Sequence, residues 1–129
     1  MIILYVLIGL ALLSILVVAF RIGRRKTLSS VTCANIWKLW ERVESLDDHN
    51  QKVMEAEKVV DVLFKELDLR GSFATKLKEV EAYIPDKEYV WAAHKLRNQI
   101  AHEPGFDARS RDAKLAVKAF YKVIQKYCS

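Results

Sequence analysis

Arg97, Asn98 and His102 lie within one short run that ends at Glu103 and Pro104. A guanidinium keeps its charge under all ordinary conditions, so Arg97 can stabilise negative charge developing at phosphorus. An imidazole changes protonation near neutrality and can move protons in the same reaction. Together they suit metal-free cleavage of RNA, in which the 2′-hydroxyl is an internal nucleophile. In a regular helix, Arg97 and His102 are five positions apart and diverge by about 140°. Asn98 and His102 are one turn apart and share a face. Pro104 ends the helix at His102 or Glu103, which leaves the imidazole free to turn inward. A two-fold dimer sharing one cleft would concentrate so small a set of groups.

Packing offers a competing account of the same residues. On a helical wheel of residues 87–102, Ala92, Leu96, Ile100, Ala93, Val90 and Ala101 form an apolar arc, and Arg97 falls inside it. An arginine facing a core must be paired or must line a wet cleft. Glu57 and Asp61, one turn apart at the edge of a preceding amphipathic helix, are the candidate partners. Asn98 would complete such a network, His94 would be half-buried beside it, and His102 would only favour the helix C-terminus.

Helices must position these groups. Ile36, Trp37, Trp40 and Val43 have helical spacing from Ala34 onward, with both tryptophans expected in the core rather than at the membrane interface. Asp47 and Asp48 either cap a new helix or sit inside one long one. Val53, Ala56, Val59, Val60, Leu63, Phe64 and Leu67 fall in one arc of about 140°. Arg70-Gly71-Ser72 is expected to stop that helix, with Gly71 left-handed and Ser72 capping the next. Phe73, Leu77, Val80 and Ile84 form a shorter element, and Pro85-Asp86 leads into the motif helix. The last helix spans about 110–127, with an apolar face from Ala113 to Tyr127. Lys114, Lys118, Lys122 and Lys126 repeat on its other side, as a solvated face or as contacts to phosphate or anionic lipid. No segment alternates with period two, so the fold class is all-α: a bundle of four or five helices.

Ahead of the bundle, Ile2 to Phe20 carries no charge. As a helix it would be about 28 Å long, against a hydrocarbon core of about 30 Å. Basic residues follow it (Arg21, Arg24, Arg25 and Lys26) and none precedes it, the reverse of a cleaved signal peptide. The expected organisation is a transmembrane anchor with basic flank over 1–26, a linker over 27–34 and a helical domain over 35–129. The positive-inside rule puts the N-terminus outside and the domain in the cytoplasm, with residues 2–20 in contact with lipid.

The hydrophobic share of 52% is inflated by this segment, and its basic flank accounts for most of the net charge of +5. Residues 27–86 hold 8 basic and 12 acidic side chains, and residues 87–129 hold 9 and 4. The motif half is the basic half, which suits either a polyanionic partner or docking on the acidic half. Cys33 and Cys128 are far apart, and neither a disulfide nor a metal site with His49, His94 or His102 is expected. Only four glycines are present and no phosphate-binding loop; no nucleophile elbow occurs either. No cofactor is expected.

The stretch from His94 through Lys95, Leu96, Arg97, Asn98, Gln99, Ile100, Ala101 and His102 to Glu103 and Pro104 resembles the signature of the HEPN superfamily: an arginine, a polar residue, three more positions and a histidine. The resemblance covers roughly residues 50–127, leaving the anchor and the Trp37/Trp40 region outside. It implies a bundle of about four helices with the motif late in the chain, and a homodimer formed through the motif face. In many members it also implies metal-independent endoribonuclease activity. Carried over by position, Arg97 and His102 would be the catalytic pair and Asn98 would orient them; His94, Lys114 and Lys118, outside that motif, are the substrate-binding or supporting candidates. The alternative expectation is a non-catalytic module that assembles a protein or RNA partner at the inner membrane face.

Overall fold

A computed structural model describes residues 1–23 and 27–129. Arg24, Arg25 and Lys26 of the expected basic flank lie outside the described residues, as does the side chain of Arg21. The protein is all-helical: among the described residues there are six helices, α1 (Ile2–Gly23), α2 (Ser30–Glu44), α3 (His49–Glu66), α4 (Phe73–Val80), α5 (Lys87–His102) and α6 (Ser110–Tyr127).

Ile2–Phe20 of α1 is long and apolar enough to cross a membrane, and none of it is buried against the rest of the chain. Within this stretch the Ser14 hydroxyl donates to the Leu10 carbonyl. That local bond satisfies a polar group that lipid could not.

The helix starts follow local capping chemistry. The Ser29 side chain accepts from the Thr32 amide at 3.1 Å, so α2 begins at Ser30, inside the stretch expected to be linker. Asp48 accepts from the Gln51 amide at 2.7 Å and starts α3 as a separate helix. Ser72 caps α4 through the Thr75 amide at 3.2 Å. The end of α3 differs from expectation. It stops at Glu66, where Asp68 takes the left-handed turn that ends it, at φ 61°; Gly71 is left-handed as expected, at φ 98°, but lies beyond that stop. The Asp68 amide donates to the Lys65 carbonyl at 3.0 Å and the Leu69 amide to that of Phe64 at 3.1 Å. This is a Schellman closure, and aspartate is among the few non-glycine residues that tolerate its backbone. Asp86 starts α5 without a side-chain cap; its carboxylate instead accepts from Lys122 of α6 at 2.8 Å.

In the bundle α3 is central, packing on α2, α5 and α6, while α6 also packs on α5. Val53, Val60, Leu63 and Phe64 of α3 are fully buried, and meet Ile36 and Trp40 of α2, Leu77 of α4, Val90 of α5 and Phe120, Val123 and Ile124 of α6. Replacing Phe120 by alanine is expected to cost about 3–5 kcal/mol in denaturant unfolding, because its ring is fully enclosed. Trp40 is core, while Trp37 is half-buried; both rings pack on Tyr121, at 5.4 and 5.7 Å. The expected apolar arc of α5 is buried only in part. Val90 and Ala93 are enclosed, Leu96 and Ile100 are half-buried, and Ala92 and Ala101 are exposed. The later turns lie at the bundle's edge, where their periodicity meets only partial cover.

One expectation is overturned. Cys33 and Cys128 form a disulfide, with Cα atoms 5.3 Å apart across a sequence separation of 95. The first turn of α2 and the residue that ends α6 are spatial neighbours, a fact that sequence spacing does not carry.

Candidate functional site

Three polar side chains of α5 gather on α3. His94, Arg97 and Asn98 occupy positions i, i+3 and i+4, which share a helix face. His94 and Arg97 meet Glu57, a residue only 5% exposed. His94 Nδ1 is 2.9 Å from Glu57 Oε2, and Arg97 Nε is 3.3 Å from Glu57 Oε1. Asn98 closes the circuit: its Oδ1 accepts from Arg97 Nη1 at 3.3 Å and its amide nitrogen lies 3.3 Å from His94 Nε2. One assignment satisfies these bonds, with His94 Nδ1–H donating to Glu57 and Nε2 accepting from Asn98. The Arg97 Nε contact has ion-pair distance but poor alignment, leaving that buried atom without a hydrogen bond. It is chiefly Coulombic attraction.

Of the two carboxylates proposed for Arg97, Glu57 is the one it meets. Asp61 serves other cations: Lys76, whose side chain is only 3% exposed, and Lys65 at 3.1 Å. Burial of Asp61 opposes its ionisation, but hydrogen bonds from Lys76 and Lys65 and their positive charges outweigh that, holding its carboxyl below the ordinary value. A lowered folded-state pKa adds stability above the unfolded value of about 3.9, which is lost as pH falls through the folded one. Asp61→Asn should therefore unfold at lower urea than the parent at neutral pH, with the gap narrowing below about pH 4.

Both networks line an open cleft of 610 Å³ between α3, α4 and α5, walled also by Lys58, Gly71, Ser72 and Phe73. Phe73 forms part of this wall. Its ring stacks on His94 at 5.0 Å and on Phe64 at 5.4 Å, and meets Phe120 edge-on at 6.1 Å. The Ser72 cap sets where α4 starts and so where this ring stands. Arg97 keeps 27% of its side chain exposed toward solvent.

The other expected site residues lie elsewhere. His102, the last residue of α5, is exposed and does not line the cleft. Lys114 and Lys118 are exposed on α6; Lys118 borders a separate groove with Asp86, Tyr89, Leu115 and Lys122. Arg97, Asn98 and His94 are thus brought together, and His102 is not brought to them within one chain.

Sequence reasoning missed three positions. Phe73 entered only as part of a short apolar element, and Lys76 was not singled out. Asn50 was not singled out, yet it clamps the turn after the motif. Its amide donates to the Phe106 carbonyl at 2.8 Å and its carbonyl accepts from the Ala108 amide at 2.9 Å. Among the described residues no three His, Cys, Asp or Glu side chains converge as metal ligands. Compared with protein-family models, curated proteins and solved structures, the chain finds no match in any of the three.

Proposed function

We propose that the protein is a membrane-anchored HEPN-like helical module that assembles a protein or RNA partner at the inner face of the membrane without cleaving it. The observation that carries this is the state of the motif. Arg97 and Asn98 are engaged with Glu57 and His94, while His102 stands exposed outside their cleft. A buried carboxylate holding an arginine is a structural clasp before it is a catalytic device. The uncharged span Ile2–Phe20 supports the anchor, and Arg21, Arg24, Arg25 and Lys26 behind it support a cytoplasmic domain.

A second reading, metal-independent RNA cleavage by a homodimer, is favoured by one specific observation. Arg97 still presents an edge to a 610 Å³ cleft, and the exposed His102 is available to a second copy. Full-length protein in detergent, incubated with single-stranded RNA and a chelator, separates the two. The module predicts intact RNA, with His102→Ala without effect. Cleavage that His102→Ala abolishes, with unfolding unchanged, would establish the enzyme instead.

A further inference from the structure

We infer that Cys33 and Cys128 form a reversible thiol–disulfide staple, which sets how firmly α2 is held on the bundle. The inference rests on the cytoplasmic orientation proposed above. A reducing compartment does not sustain structural disulfides as a rule, and those that form there are mostly transient, catalytic or redox-sensing. The chain's two cysteines are nonetheless paired, at a Cα separation of 5.3 Å.

The staple sits where it can matter. α2 follows the membrane segment in the chain and packs mainly on α3, through Ile36, Trp40 and Val43. Its attachment to α6 is narrower: Trp37 and Trp40 against Tyr121, the bond from Trp37 Nε1 to the Cys128 carbonyl at 2.8 Å, and the disulfide. Cutting the disulfide removes the covalent tie and leaves the aromatic contacts and one hydrogen bond. That hydrogen bond also keeps Cys128 beside the start of α2, which favours closure when an oxidant arrives.

The chemistry balances with a small-molecule disulfide as oxidant. The Cys33 thiolate attacks it, because Cys33 is half-buried while Cys128 is only 6% exposed. A mixed disulfide forms and one small thiolate leaves. The Cys128 thiolate then attacks the Cys33 sulfur, closing the protein disulfide and expelling the second small thiolate. Two protein thiols lose two electrons and two protons, and one external disulfide becomes two thiols.

The test uses the full chain in living cells, with thiols trapped by acid quench and counted by a maleimide that adds mass on a gel. Both cysteines should be free at rest, paired within minutes of diamide, and free again after its removal. In detergent, reduced protein and Cys33→Ser should show amide exchange on the order of tenfold faster across residues 30–44, with the centre of α3 unchanged. A pair that stays oxidised at rest, or never forms, overturns the staple, as does identical exchange in both forms. Protease added to intact cells reads orientation separately. Digestion of the domain there would overturn the cytoplasmic orientation itself, and the pair would then be a permanent bond of an oxidising compartment.

Discussion

Glu57→Ala is expected to destabilise the domain by about 3 kcal/mol, the lower end of the range for breaking a buried ion pair. Glu57 is 5% exposed and its carboxylate serves two groups, His94 Nδ1 at 2.9 Å and Arg97 Nε at 3.3 Å. Without it, the half-buried guanidinium loses its counter-charge and the histidine loses its acceptor. The estimate sits at the lower end because Arg97 is 27% exposed, so water can recover part of the lost interaction. Arg97→Ala should cost less, about 1–2 kcal/mol, since Glu57 then still accepts from His94. Exposed His102→Ala should stay within about 0.5 kcal/mol. Urea midpoints at pH 7 rank the three variants. A Glu57→Ala midpoint no lower than that of His102→Ala would show that the clasp does not hold α5 to α3. The ranking also bears on function, because any loss of partner binding in a Glu57 or Arg97 variant must be judged against its stability.

The second large effect is the loss of the disulfide. Closing a loop with a sequence separation of 95 reduces the entropy of the unfolded chain by about 4–5 kcal/mol in the loop-closure treatment. Reduced protein and Cys128→Ser should therefore unfold at clearly lower denaturant than the oxidised form, with a gap of about 2–4 kcal/mol once ordinary shortfalls are allowed for. The reduced domain should remain folded, because the core around Val60, Leu63, Phe64 and Phe120 is fully enclosed. Paired urea titrations with and without reductant check this. Coincident curves would mean that the disulfide restrains neither state.

Much of the fold was legible because it is local. The 3.6-residue repeat marks α3 and α6, and capping side chains at Asp48 and Ser72 mark helix starts. Where periodicity misled, the cause lay in what covered the helix. Ala92 and Ala101 fit the apolar arc of α5, but no element encloses them. Gly71 looked like the stop of α3, yet Asp68 adopts the left-handed turn three residues earlier. Both residues are left-handed, and the partial burial of Leu69 against the core favours ending the helix at the earlier one.

The candidate site divides in the same way. An arginine inside an apolar arc requires a carboxylate, and that physical need named Glu57 and Asp61 from sequence alone. Which of them takes Arg97 depends on how α5 crosses α3. The same crossing selects His94 rather than His102 as the histidine of the cleft, although helical phase had put Asn98 and His102 on one face. The apolar N-terminal helix, the helical segments and the Arg97 anomaly were determined by the sequence itself, since each follows from the composition and period of a continuous stretch. The Cys33–Cys128 bond, the Asn50 clamp and the Lys76–Asp61 pair were decided by tertiary structure, because each joins positions whose approach depends on the packing of separate helices.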